Sequence, residues 1–177
     1  MKRILLTAGL FCILALPAHA ADVMAGTLKI SAPWARATPT GASVGGGYMT
    51  ITNTGTTPDN LIGGSTAISS RFEVHEMTMD NGVMKMRPVS GGIEIKPGQT
   101  VKLEPGGYHV MFVGMKQQLK EGEHFKATLE FAKGGKVDVD FTVEGLGAMH
   151  GGGKPGMGAA PPMSAPMSAP MGGMQMK

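Results

Sequence analysis

Between Gly26 and Val143 the chain never runs far without a turn. Asn53-Thr54-Gly55, Pro58-Asp59-Asn60, Gly63-Gly64, Asp80-Asn81-Gly82, Gly91-Gly92, Pro97-Gly98, Pro105-Gly106-Gly107, Glu121-Gly122 and Gly134-Gly135 divide it into short apolar or alternating runs. Turn signals at roughly 8–12-residue intervals are the pattern of an all-β sandwich or barrel. No window of about 12 residues carries a helical period, so major helices are not expected. Strands are expected over 27–32, 46–53, 60–64, 71–79, 83–89, 92–96, 100–104, 108–114, 124–132 and 136–143. The cleanest of them alternates Val137, Val139, Phe141 and Val143 with Asp138, Asp140 and Thr142. That is the signature of a strand with one face in a core and one in water.

The segments on either side are of another kind. Lys2 and Arg3 precede an almost wholly apolar run from Ile4 to Leu16, then Pro17 and Ala18-His19-Ala20. This predicts a secretory signal peptide over 1–20, cleaved between Ala20 and Ala21, and hence export to the periplasm. The run is too short to span a bilayer, and no other stretch approaches the required length, so no membrane span is expected. The single cysteine of the chain, Cys12, lies in this leader. The mature protein is therefore expected to have no disulfide, no thiolate ligand and no lipid anchor on Cys12. Lys+Arg falls from 16 to 14 against 13 Asp+Glu on cleavage, which leaves little net charge and argues against a nucleic-acid partner.

At the other end, residues 148–177 hold seven Met, seven Gly, five Pro and five Ala, with no acid, aromatic or branched aliphatic residue. Such a segment cannot bury enough surface to offset its chain entropy, and a disordered tail is expected. At roughly 30 Å of typical span it is long enough to return to its own domain. The expected organisation is a leader over 1–20, a β domain over 21–147 and the tail over 148–177.

Sixteen methionines are many for a chain of 177 residues, and several fall at positions that strand geometry brings together. Asn81-Gly82 is a strong two-residue hairpin signal, because a type I′ turn needs positive φ at both positions. A two-residue loop pairs Asp80 with Val83, Met79 with Met84, Thr78 with Lys85 and Met77 with Met86. Directly paired residues share a face, as do residues two apart on a strand. His75, Met77, Met79, Met84 and Met86 then converge on one side of the hairpin, with His75 and Met86 as diagonal neighbours. A second cluster, Tyr108-His109-Val110-Met111, sets His109 and Met111 on one strand face and Tyr108, Val110 and Phe112 on the other.

Imidazole and thioether suit Cu(I); calcium and magnesium want oxygen, and zinc normally takes Cys, His and carboxylate. A methionine pair across a hairpin is more often packing than chemistry. Two histidines with several methionines on shared faces, in an exported chain without cysteine, favour the metal. His124 is expected to be solvated or structural, Trp34 and Tyr48 to be packing residues, and Met115 to pack.

These residues carry a resemblance. Pro33-Trp34-Ala35-Arg36-Ala37-Thr38, Val74-His75-Glu76-Met77, Gly82-Val83-Met84-Lys85-Met86-Arg87 and Pro105-Gly106-Gly107-Tyr108-His109-Val110-Met111 resemble the periplasmic copper chaperones of the PCuAC family, over nearly all of residues 26–143. His75 and Met86 are separated by ten residues, and Met86 and His109 by 22, one more than the pattern as commonly written. The resemblance implies a cupredoxin-like Greek-key β-barrel or sandwich. It implies Cu(I) held by His75, Met86, His109 and Met111, with Met77 as a second-choice ligand or gate. It also implies delivery of copper toward the binuclear copper site of cytochrome c oxidase, alone or with a Sco-type copper protein. The tail resembles Met-rich extensions that take a further copper, as Cu(I) or Cu(II). Met149, His150, Met157, Met163, Met167, Met171, Met174 and Met176 are available for it here.

Other function classes fit less well. A blue-copper electron carrier shares the implied fold but needs a cysteine thiolate. No nucleophile–base pair or paired carboxylates with recognisable spacing mark an enzyme, and the glycines are expected at hairpin turns. Copper sequestration without a dedicated recipient requires the same ligands as delivery, and is the alternative reading.

Overall fold

The computed structural model describes residues 22–151. The leader and the tail methionines from Met157 onward lie outside the described residues. Eleven strands follow one another: β1 (Val23–Ala25), β2 (Leu28–Arg36), β3 (Val44–Asn53), β4 (Asp59–Thr66), β5 (Ser69–Asp80), β6 (Val83–Pro88), β7 (Ile93–Ile95), β8 (Thr100–Leu103), β9 (Tyr108–Met115), β10 (His124–Phe131) and β11 (Gly135–Glu144). The described residues form no helix, as the turn spacing requires.

All the strands belong to one open sheet with the path β6-β5-β9-β3-β2-β11-β10-β4-β7; β1 is added to β2 and β8 to β3. The sheet curls until β4 packs against β5, near opposite ends of the path. Every pairing is antiparallel except that of β11 with β2, which sets Thr142 opposite Trp34 and Glu144 opposite Arg36. The inner face holds the core, including Leu28, Ile30, Ile51, Leu61, Val110, Phe112, Leu129, Val139 and Phe141. In β11 the alternation read from the sequence is present: Val139, Phe141 and Val143 are buried while Asp138 and Asp140 are exposed. Phe112 is central to the aromatic part of the core. It meets Phe72, Phe125 and Phe141 edge-on at 5.4–5.8 Å between centroids, an arrangement favoured by the ring quadrupoles.

Several parts of the fold depart from the sequence expectation. The short β1 precedes the first expected strand, and Gly63-Gly64, expected as a turn, lies inside β4, which runs on to Thr66 and pairs with β10 there. β2 continues through Pro33 to Arg36, beyond the expected end near residue 32. Ala32 takes a positive φ of 46°, and the β2–β3 register shifts between Ser31 and Trp34. The strand thus bends around a bulge and resumes pairing, with β3 on one side and β11 on the other. In addition, β3 begins at Val44, two residues before its expected start, so that Gly45, Gly46 and Gly47 all lie within the strand. A Cβ on Gly47 would stand 2.9 Å from the Phe112 ring and 3.1 Å from Phe141. A Cβ on Gly46 would stand 2.8 Å from the Tyr48 hydroxyl. These two glycines are space for aromatic side chains, a role that strand alternation alone does not reveal.

Candidate metal centre

The β5–β6 hairpin adopts the register that Asn81-Gly82 implies. Both turn residues have positive φ, 50° and 79°. Asp80 faces Val83, Met79 faces Met84, Thr78 faces Lys85, Met77 faces Met86, and His75 faces Pro88. On its other side β5 pairs with β9, placing His75 opposite His109, Glu73 opposite Met111 and Val74 opposite Val110. Since paired residues project together, one face of the three strands carries Glu73, His75, Met77, Met79, Met84, Met86, His109 and Met111. The opposite face sends Val74, Val110 and Phe112 into the core. Beyond β9, Met111 stands opposite Gly46 of β3, whose missing side chain leaves room for the Tyr48 hydroxyl.

The two imidazoles are neighbours, with ring centroids 5.9 Å apart, and both are buried. Each has one nitrogen tied down. His109 Nδ1 lies 3.1 Å from the carbonyl of Gly107. A carbonyl only accepts, so Nδ1 carries the proton and Nε2 holds the lone pair. That Nε2 is 3.2 Å from Met86 Sδ. In the neutral ring the two atoms meet as lone-pair donors with no proton between them, the relation of two ligands of one soft cation. Burial, with a smaller contribution from His75, lowers the pKa of His109 and keeps its lone pair free.

His75 is held the other way round. Its Nε2 lies 2.9 Å from Glu73 Oε2, and the other carboxylate oxygen accepts from Arg71 Nε at 3.0 Å. An ionised carboxylate cannot donate, so Nε2 supplies the proton. In the neutral ring the lone pair is then on Nδ1, which is buried without a hydrogen-bond partner. An orphaned buried nitrogen is costly, and a metal would satisfy it. The carboxylate–imidazole and carbonyl–imidazole contacts are the usual outer supports of metal-binding histidines. Among the described residues no three His, Cys, Asp or Glu side chains are grouped to hold a metal by themselves. The further donors that this face offers beside the two imidazoles are the thioethers of Met77, Met86 and Met111.

His75, Met77, Met86, His109 and Met111 are thus brought to one face. Met149 and His150 are placed elsewhere. Arg36 Nη2 and Nε donate to the carbonyl of Ala148 at 2.6 and 3.2 Å, and Nη2 lies 3.7 Å from Met149 Sδ. Met149, His150 and Gly151 border a cavity of about 210 Å³ against Trp34 and Glu104. The Trp34 ring lies against Tyr48, tilted by 33° with centroids 4.4 Å apart, and the Arg36 guanidinium lies 5.8 Å above the Tyr48 ring. His124 is exposed, 3.6 Å from Asp140. Met115 packs against the core edge. Glu73 was missed in the sequence, although its Glu-x-His step on a strand signals a shared face.

Residues 28–143 match the protein family described as "Putative lipoprotein LpqE-like". The chain belongs to this family. It is 30% identical over 135 residues to "Putative lipoprotein Lxx21020" of Leifsonia xyli, covering 75% of this chain and 80% of that one. Among solved structures it is similar to the copper-bound PCuAC domain from PmoF2, with a TM-score of 0.60 and 30% identity over 71% of this chain and 98% of that one. The solution structure of the Cu(I) form of DR1885 from Deinococcus radiodurans superposes with a TM-score of 0.51 at 29% identity, over 75% of this chain and 81% of that one. The likeness to the PCuAC family read in the sequence therefore holds, and the family's all-β fold is the one observed. Among the described residues no helix is long and apolar enough to cross a membrane.

Proposed function

We propose that this protein is an exported Cu(I) chaperone. It binds one Cu(I) through His75, Met86, His109 and Met111 and releases it by ligand exchange. The observation that carries the reading is the pair of outer contacts on the two buried imidazoles. Glu73 and the Gly107 carbonyl fix the tautomers so that His75 presents Nδ1 and His109 presents Nε2, the latter against Met86 Sδ. The copper carried by the PmoF2 and DR1885 relatives supports it. Uncharged ligands suit a monovalent ion, and thioethers exchange readily, as carriage requires. The lipoprotein names of the relatives agree with export, and the leader directs the chain to the periplasm. The protein is not an enzyme: copper is its cargo, and no bond of a substrate is made or broken.

Competition titration of the mature chain with a Cu(I) indicator is expected to show one tight Cu(I). His109→Ala with Met111→Ala should weaken it by more than about 100-fold, beyond what loss of an outer partner costs. Unchanged affinity would refute the site. The proposed recipient is the copper site of cytochrome c oxidase, reached directly or with a Sco-type protein. A deletion strain should then contain copper-poor oxidase, whereas normal oxidase loading with copper sensitivity would point to sequestration.

A further inference from the structure

The methionines of the hairpin continue past the site just described. Met77 and Met86 form one directly paired rung, and Met79 and Met84 form the next, toward the turn. Successive rungs on one face are about 6.6–6.8 Å apart along the strand. Paired Cβ atoms stand about 4.5–5.5 Å apart, and the three rotatable bonds of methionine let two sulfurs reach one ion. Met86 belongs to both levels, since it pairs with Met77 and its Sδ touches His109.

Packing does not account for the outer rung. Met79 is 67% exposed and Met84 55%, and every residue of β6 is exposed. The opposite face of the same hairpin pairs Thr78 with Lys85 and Glu76 with Arg87. Sulfur is therefore segregated to the face that leads to His75 and His109, on a hairpin with water on both sides. Polar residues would serve solubility better at such positions.

We propose that Met79 and Met84 form a second, weaker Cu(I) site at the hairpin tip, the outer rung of a thioether ladder through which Cu(I) enters and leaves the histidine site. Each step forms one Cu–S or Cu–N bond as another Cu–S or Cu–N bond breaks. The ion remains Cu(I), no electron or proton moves, and the ligand released at the first step belongs to the copper donor. Two thioethers alone bind weakly enough to let go, while the buried imidazoles further in supply retention. This inference rests on the histidine site proposed above.

The test uses the mature chain and Met79→Leu with Met84→Leu, which removes sulfur but keeps size and apolarity. Anaerobic stopped-flow transfer of Cu(I) from a coloured bicinchoninate complex reads the loading rate, and equilibrium competition reads the affinity. The variant is expected to keep the affinity and to load several-fold more slowly. In the wild type, Cu(I) added beyond the first equivalent should shift the Met79 and Met84 methyl resonances in fast exchange. Wild-type loading rate in the variant, or unmoved Met79 and Met84 methyls, would overturn the ladder. Failure of the histidine site shows separately, as undiminished affinity in the His109→Ala, Met111→Ala protein.

Discussion

β10 and β6 are antiparallel strands of the same sheet, and they treat their side chains in opposite ways. β10 lies between β4 and β11 and buries Phe125, Ala127, Leu129 and Phe131 in strict alternation. β6 ends the path and buries nothing, although four of its six residues are Val83, Met84, Met86 and Pro88. Hydrophobic burial explains the apolar residues of β10 and leaves those of β6 without a structural reason. The difference teaches where to look for chemistry: the methionines outside the core are set in register with two buried histidines.

A sharper form of the same contrast exists inside β9, where function and folding alternate residue by residue. Phe112 points into the core among three other phenylalanines, and its neighbours His109 and Met111 do not share that face. Phe112→Ala is expected to cost about 3–5 kcal/mol of stability, the largest effect foreseen for a single change. Chemical denaturation measures it. His109→Ala and Met111→Ala should lower the denaturation midpoint far less than Phe112→Ala, His109→Ala by about the 1 kcal/mol of its hydrogen bond to Gly107, while copper affinity falls. Should the histidine and methionine changes unfold the protein as severely as Phe112→Ala, the division of β9 into two faces would fail.

Glu73 probes the outer support of the site. Glu73→Leu removes the acceptor that holds His75 Nε2–H and leaves the ring free to change tautomer. Cu(I) affinity is expected to fall by about 10–100-fold. Glu73→Gln keeps an acceptor oxygen and should restore most of the loss. Nitrogen-15 NMR of the apo protein reads the tautomer directly: His75 should carry its proton on Nε2 in the wild type and lose that preference in Glu73→Leu. An unchanged tautomer would remove Glu73 from its positioning role.

Much of this was legible in the sequence because short-range rules governed it. The Asn81-Gly82 turn fixes the hairpin register through backbone conformation alone, and every pairing across it follows. The alternation in β11 and the His-x-Met step in β9 are period-two patterns that survive any tertiary context. What escaped depends on distant partners. Ser31-Ala32-Pro33 reads as the end of a strand, and only the pairing of Thr142, Val143 and Glu144 with residues 34–36 makes it a bend. Gly46 and Gly47 fall in an expected strand, but only Tyr48, Phe112 and Phe141, which fill the space beside them, explain why they are glycine. The tie between Glu73 and His75 could have been read from their spacing, but carboxylates are common on strand faces and nothing local singles this one out.

The smallest effect at the histidine site is expected from removing the tail, and it tests whether the two methionine groups are separate. Ala148 and Met149 are held by Arg36, beside the Trp34–Tyr48 pair, rather than at His75 and His109. Truncation after Gly147 breaks two hydrogen bonds to the Ala148 carbonyl and uncovers part of Trp34. The loss of stability should be on the order of 1 kcal/mol, seen as a melting temperature lower by a few degrees. The first equivalent of Cu(I) should bind as before, since Glu73, Gly107 and all four proposed ligands remain. Only copper taken up beyond that equivalent should decline, together with any Cu(II) bound by His150 and the methionines after it. Equal loss of the first and the later copper would mean that the tail folds back to supply primary ligands. The Arg36 clasp would then hold those residues in reserve for the site instead of keeping them apart from it.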